Sequence, residues 1–388
     1  MSEGVAPTYL DHNATTPVDP RVVEVMLPYF TGTFGNPSSV EHTHGHAAQQ
    51  VVAAARSKVA RTLGARDNEI IFTGSCTEAN NVAILGSARA QPEKRHVVTT
   101  AIEHPAVLEP MRQLQREGYE LTVLPVDEFG RVDPKQVAAV LRDDTLLVSV
   151  MAANNEVGTT QPLAKIGAAC EDRGVLFHSD LAQIMAHGQF DVAASNVHLA
   201  SVSGHKAYGP KGVGALYARS RGPRARLSAI SFGGGQERGL RSGTLNVPLI
   251  VGMAEALALC ALDGRAESKR LSEMCRTFGA RIVGSVDGVQ LNGHPKERIP
   301  GNCSLSIAGV EPLALMHRLR DVASFSASSA CSTDKVETSH VLLAMFGDTQ
   351  RARQAFRVSP GRFTTQAELD IFAEALVEAI GDLRKIAA

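Results

Sequence analysis

Between residues 69 and 178 the chain alternates short apolar runs with amphipathic stretches, and few architectures can absorb that rhythm. The runs 69–73, 96–100, 119–125, 146–151 and 175–178 have strand length and strand composition. The stretches between them, 78–89, 106–117, 134–141 and 163–173, carry helical periodicity. Strand, helix, strand repeated in this way predicts an α/β fold with a mainly parallel sheet and helices on both faces. A hairpin-like pair, 197–202 and 213–218, is expected to close the sheet. Open sheets of this kind bind ligands outside the carboxyl ends of their strands, so chemistry is sought there.

The flanking regions read differently. Tyr9-Leu-Asp-His-Asn-Ala-Thr-Thr-Pro17 looks like a short strand that breaks into a polar turn, 20–29 like an amphipathic helix and 47–63 like a long one. Phe34-Gly-Asn-Pro-Ser-Ser39 is an irregular loop by its turn-forming residues. From about residue 262 the pattern becomes a long polar-rich helix, strands near 289–291 and 302–307, and a terminal helix 366–385. The 388 residues, 44% hydrophobic, suffice for a large domain, 16–261, and a smaller α+β domain made of 1–15 and 262–388.

Charge narrows the partners. With 39 basic against 40 acidic residues and no long basic run, direct nucleic-acid binding and anionic membranes are poor expectations, and a small ligand is favoured. No apolar run reads as a membrane span and Met1 to Pro7 lacks a signal pattern, so a cytoplasmic protein is expected. The six cysteines form no C-x-x-C pair and no zinc spacing; they are read as free thiols, with no resident metal.

Residue types that carry chemistry gather at the predicted strand ends. Lys206 follows a Ser-Gly-His turn and precedes Tyr208-Gly-Pro210, which cannot continue a helix or a central strand. It is a candidate Schiff-base amine, against the plain alternative of a solvated loop lysine. Gly74-Ser-Cys-Thr77 lies between a strand and a helix and can cradle a phosphate, although Thr77 also suits an ordinary helix cap. Glu103-His104-Pro105, Asn154-Asn155-Glu156 and His178-Ser-Asp180-Leu-Ala-Gln183 close other strands on the same edge. Each alone would pass as structural. Together they match the needs of pyridoxal phosphate: a lysine for the aldehyde, a carboxylate for the ring nitrogen, donors for the phenolic oxygen, and a flat group over the ring.

Three further stretches are singled out. The run Gly233 to Thr244 comes too late to be a dinucleotide fingerprint, and reads either as a loop approaching a ligand or partner subunit or as a plain connection. Ser324 to Lys335 is small and polar, a surface loop by composition, and a cysteine there, Cys331, is unusual. Arg357 and Arg362 are both suited to gripping a carboxylate, whereas Arg351 and Arg353 read as solvated helix residues.

These motifs, with Gly35-Asn-Pro-Ser-Ser, Ser203-Gly-His-Lys206, Gly233-Gly-Gly-Gln-Glu-Arg, Arg241-Ser-Gly-Thr and Ser329-Ala-Cys331, resemble those of cysteine desulfurases of the IscS/NifS type, in the same order along nearly the whole chain. The resemblance implies the fold type I of pyridoxal-phosphate enzymes, with a sheet of the seven-stranded type, and a homodimer with the site at the subunit interface. By likeness Lys206 would hold the cofactor, Asp180 pair with the ring nitrogen, Gln183 bond the phenolic oxygen and His104 stack on the ring and carry protons. Thr77, Ser203 and His205 would bind the phosphate, with Thr244 from the other subunit and Cys76 beside it. Asn155, Arg357 and Asn13 would hold the substrate L-cysteine. Cys331, on the small domain, would take the sulfur as a persulfide, leaving alanine, and pass it to a protein acceptor serving iron–sulfur cluster assembly or thio-modification. Cys331 is also a candidate transient ligand of such a cluster.

The chain departs from the usual pattern at Cys76, at Ser328, where glycine is common, and at His46, where arginine is usual. Selenocysteine lyases share the same motifs, and a non-catalytic sulfur-handling scaffold would share the fold.

Overall fold

The computed structural model describes residues 6–327 and 338–387. Its strands are β1 (Thr8–Tyr9), β2 (Ile70–Thr73), β3 (His96–Thr100), β4 (Glu120–Leu124), β5 (Thr145–Ser149), β6 (Leu176–Asp180), β7 (Leu199–Ser203), β8 (Gly214–Ala218), β9 (Val289–Leu291), β10 (Cys303–Ile307), β11 (Ala323–Ser324), β12 (Ser326–Ala327) and β13 (Ala355–Val358). A seven-stranded sheet runs β2-β8-β7-β6-β5-β3-β4. Its members β3 to β7 pair in parallel, and β8 lies antiparallel to both β7 and β2. The fold is α/β, as the sequence rhythm predicts.

Strands β2, β3, β5, β6 and β7 are buried at every residue, which is why they read as apolar runs rather than alternating ones. Successive side chains still go to opposite faces. Ile71, Val97, Leu147 and Leu176 enter one core, beside Ala83 and Met111 of the helices Cys76–Ala90 and Pro105–Arg116. Phe72, Val98, Val148 and Phe177 enter the other, against Val52 and Val59 of the helix Thr43–Thr62. Both faces of the sheet are thereby covered, and only its edges and strand ends remain for function.

A second sheet, β12-β13-β10-β9, is antiparallel. It packs Leu305, Phe356 and Val358 on Phe372 and Leu376 of the terminal helix Gln366–Ala387. The amino-terminal strand β1 joins this region by pairing in parallel with β11.

One 39-residue helix, Val247–Ser285, links the two cores. Ile250, Met253 and Leu257 pack in the first, Met274, Phe278 and Ile282 in the second. This corrects the sequence reading, which starts the helix near residue 262. Its first half is apolar on too many sides to show a helical period, and its start lies at Asn246, whose side chain accepts from the Leu249 amide at 3.2 Å. By length and composition this helix could cross a membrane, contrary to the reading of the bare sequence; 56% of its apolar 18-residue stretch is buried inside the protein. Elsewhere the helix expected over 20–29 divides into Pro20–Met26 and Pro28–Thr31. Pro28 has no amide hydrogen to continue the first segment and instead opens the second.

Candidate active site

The turn between β7 and β8 carries Lys206, and the amino-terminal segment clasps it. The backbone amide and the hydroxyl of Thr16 both donate to the His205 carbonyl, at 3.0 and 2.9 Å. The same hydroxyl accepts from the Tyr208 amide at 2.9 Å, and Thr15 Oγ meets His205 Nδ1 at 3.0 Å. These bonds hold Tyr208 at φ 61°, a left-handed conformation that residues with a Cβ rarely adopt. The position of the lysine is thus set by residues some 190 positions away in sequence.

Lys206 lines a cavity of about 290 Å³ shared with Asp180, Gln183, His104, Asn155 and Arg357. Ser203, His205, Cys76, Thr77 and Asn13 complete its wall. All the described residues that the resemblance assigns to the site, except Thr244, therefore meet in one place. Thr244 is exposed on the Gly233 to Thr244 loop and lies outside this cavity. Cys331 and Ser328 lie outside the described residues.

The wall containing Cys76 and Thr77 is a helix amino terminus. Ser75 caps it by accepting the Glu78 amide at 3.0 Å, and Glu78 reaches back to the Gly74 amide. Gly214 of β8 permits this turn to sit against the sheet, since a Cβ there would lie 2.6 Å from the Ser75 carbonyl carbon. Arg241 ties the Gly233 to Thr244 loop to the turn through Glu78 at 2.8 Å, and Glu237 ties it to Arg56 at 2.6 Å.

Asp180, at the carboxyl end of β6, is buried. Its Oδ2 accepts from Asn80 Nδ2 at 2.8 Å; its Oδ1 accepts from the Ala182 amide at 2.8 Å and from Cys76 Sγ at 3.5 Å. Burial first, then the charge of Asp180, push the Cys76 thiol well above the ordinary thiol range. Behind Asp180, His178 bridges Ser149 and Ser201 on the neighbouring strands at 2.8 and 3.0 Å. Its burial lowers it to about 4 and keeps it neutral.

His104 caps the helix Pro105–Arg116 by accepting the Ala106 amide at Nδ1, 3.0 Å away. The neutral ring then carries its hydrogen on Nε2. Burial and, next, the Lys206 charge lower its pKa. His205 is neutral for the same reasons, lowered to about 4 by burial and then by Lys206 and Lys211. Glu103 is fully buried, and burial raises its carboxyl to about 8; Thr100 and the Met151 amide donate to it at 2.8 and 2.9 Å.

Of the two arginines proposed as carboxylate grips, only Arg357 faces the cavity. Its Nη1 donates to the Asn155 carbonyl at 2.7 Å and its Nη2 to Asp11 at 2.5 Å, leaving Nε buried with no partner among the described residues. Arg362 is removed from the candidates. It is spent on Glu267 at 2.6 Å and Asp19 at 2.7 Å, with its guanidinium 4.3 Å over the Tyr208 ring. Gln183 Nε2 donates to the Asn13 carbonyl at 3.0 Å, and Asn13 Nδ2 to the Asn155 carbonyl at 3.3 Å, so these amides form one chain along the wall. Arg351 is only partly solvated, lying 3.9 Å over the Phe346 ring, while Arg353 pairs at the surface with Asp348.

Sequence reasoning passed over Asn80 and Asp11, which also line the cavity. Asn80 had a usable signal, since it follows Cys76 by four residues on one helix face. Asp11 sits inside a quoted motif, but nothing local points to Arg357.

Comparison with known proteins agrees with this geometry. The family Aminotransferase class-V matches residues 8–372. A cysteine desulfurase IscS of Anaeromyxobacter dehalogenans (strain 2CP-C) is 47% identical over 381 residues, covering 98% of this chain and 94% of that protein. A solved NifS-like protein superposes with a TM-score of 0.90 at 35% identity, over 97% of this chain and 100% of that one. A structure described as SspA in complex with cysteine gives 0.81 at 32% identity, over 92% and 100%.

Proposed function

From the premise that this chain belongs to the class-V aminotransferase family and is a cysteine desulfurase, we propose the roles of its residues as follows. Pyridoxal phosphate is the cofactor, L-cysteine the substrate, and the sulfur leaves by way of a persulfide on Cys331. The observation that carries this reading is the convergence of the Lys206 amine, the Asp180 carboxylate and the Arg357 guanidinium on one cavity of about 290 Å³.

The donor set suits that cofactor. The helix amino terminus at Cys76 and Thr77, with Ser203 and neutral His205, offers amides, hydroxyls and a ring N–H to a phosphate dianion. Asp180 is a buried carboxylate whose surroundings are donors, ready for a protonated ring nitrogen. When bound, pyridoxal phosphate supplies an aldehyde that captures amines and a ring that accepts electrons from a breaking bond at Cα.

The chain's own residues do the rest. Arg357 and Asn155 hold the substrate carboxylate and so aim its Cα hydrogen. The Lys206 amine removes that hydrogen as a base. His104, presenting Nε2–H in its neutral form, hands a proton to the substrate and can recover one from its thiol or amine. The Cys331 thiolate attacks the substrate sulfur; an S–S bond forms, the Cβ–S bond breaks, and its electron pair stays with carbon, which takes a proton to become alanine.

The same reading takes the large domain as 16–261 and the small one as 1–15 with 262–388, supported by the change of core along the helix Val247–Ser285. It takes the active form as a homodimer, supported by Thr244 lying exposed outside its own cavity and by exposed Phe34 and Phe232, 65% and 83% accessible. A cytoplasmic setting and a protein sulfur acceptor complete it; the five described cysteines as free thiols fit a reducing compartment.

Peptide mapping after borohydride reduction tests the core of the proposal. A pyridoxyl mass on Lys206, alanine release from L-cysteine and a labile extra sulfur on Cys331 are expected. Alanine release without sulfur on Cys331 would move the nucleophile elsewhere, and absence of the Lys206 adduct would remove the proposed chemistry.

A further inference from the structure

We propose that Cys76 is a positioning residue: its thiol donates to Asp180 and thereby decides which carboxylate oxygen is left to meet the ring nitrogen of pyridoxal phosphate. The inference rests on the cofactor reading above and goes beyond it. Cys76 opens the helix Cys76–Ala90, and Asn80 lies one turn further on the same face. Both reach Asp180, but different oxygens of it. Among the described residues, Oδ1 receives Cys76 Sγ at 3.5 Å and the Ala182 amide at 2.8 Å, whereas Oδ2 receives only Asn80 Nδ2 at 2.8 Å.

A carboxylate oxygen has two lone-pair directions in its plane. With two donors Oδ1 is filled, and with one donor Oδ2 keeps a direction open. The open direction belongs to the oxygen that can accept a ring N–H. Without the thiol each oxygen would have one donor, and the carboxylate would lose this asymmetry. The weak S–H donor suits the task, because it fills Oδ1 while withdrawing little charge from the group. The same bond keeps the thiol proton occupied, so Cys76 does not act as a second nucleophile beside Lys206. Half-buried in the cavity wall, with a thiol held well above the ordinary range by burial and by Asp180, Cys76 suits a fixed donor rather than a reagent.

The test is a titration of cofactor-free protein with pyridoxal phosphate, followed by fluorescence, for the wild type and for Cys76→Ser, Cys76→Ala and Cys76→Val, with steady-state kinetics on each. Serine keeps a donor, valine keeps volume without one, and alanine keeps neither. Cys76→Ser should bind within about twofold of wild type, while Cys76→Ala and Cys76→Val bind about three- to tenfold more weakly, the loss expected for one ordinary hydrogen bond, since the thiol is a weak donor. The kcat of the last two should fall with KM for cysteine unchanged, since the substrate carboxylate is held elsewhere. Binding by Cys76→Val at the wild-type level with Cys76→Ser impaired would mean that volume matters and would overturn the proposal, as would equal constants in all four proteins. A wild type that binds no cofactor would instead overturn the cofactor reading itself.

Discussion

Arg357 and Asp11, 346 residues apart in sequence, meet in the cavity wall at 2.5 Å, while the other terminal nitrogen of the arginine is fixed by the Asn155 carbonyl at 2.7 Å. The guanidinium is therefore oriented before any substrate arrives, by a carboxylate that the substrate's own carboxylate must accompany or displace. Preorganisation of this kind lowers the ordering cost of binding.

Replacing the arginine removes that grip. Arg357→Ala should raise KM for L-cysteine about tenfold to a hundredfold, the range for a hydrogen-bonded charge pair, with a smaller effect on kcat. Steady-state kinetics reads it directly. An unchanged KM would show that Arg357 serves the fold alone.

His104 supplies a pH signature. Its pKa is lowered from 6.5 by burial and by Lys206, so the ring stays neutral at and below that pH before it charges. The limb of kcat/KM that belongs to His104 should therefore lie on the acid side of 6.5. His104→Gln should remove the limb and reduce kcat by about a hundredfold or more, as expected for loss of a positioned proton carrier. A limb that persists in this variant belongs to another group.

Buried His178 links folding to pH with a defined sign. Its folded value of about 4 lies below the ordinary 6.5, so between those values the unfolded chain binds the proton and the folded chain does not. The stability it confers is complete above 6.5 and is lost as pH falls towards 4. Denaturant titrations in that window should show a slope that shrinks in His178→Asn by up to about 1.4 kcal/mol per pH unit. His187, also lowered to about 4 by burial, keeps part of the slope in the variant. An identical slope in both proteins would mean that His178 is not held neutral.

The sulfur carrier can be separated from the cofactor site. Cys331→Ser should keep cofactor and cysteine binding yet form no persulfide, read by alkylation and mass spectrometry after a single turnover. Sulfur found on Cys76 in this variant would contradict both the role of Cys331 and the donor role of Cys76.

Much of the site was open to a reader of the sequence alone. Lys206, Asp180, His104 and Asn155 each close a strand or open a turn, and strand ends are marked by local features: an apolar run that stops, then Gly, Pro, Asn or Ser. Alternation from 69 to 178 likewise specifies a parallel sheet, because short strands with helices between them have few other ways to bury their faces. The boundaries near Pro28 and the first half of the helix Val247–Ser285 were harder. In the helix, apolar residues on several sides erase the period that marks an amphipathic one.

Local pattern thus determined the fold class, the lysine turn and the edge on which the chemistry collects. Tertiary structure alone decided the partners: that Arg357 faces the cavity with Asp11 while Arg362 is consumed by Glu267 and Asp19, and that Cys76 and Asn80 divide the two oxygens of Asp180 between them. The reason is physical. Whether a charged group is spent or available depends on which opposite charges and donors the packed chain brings within about 3 Å of it, and residues hundreds of positions apart carry no local record of that distance.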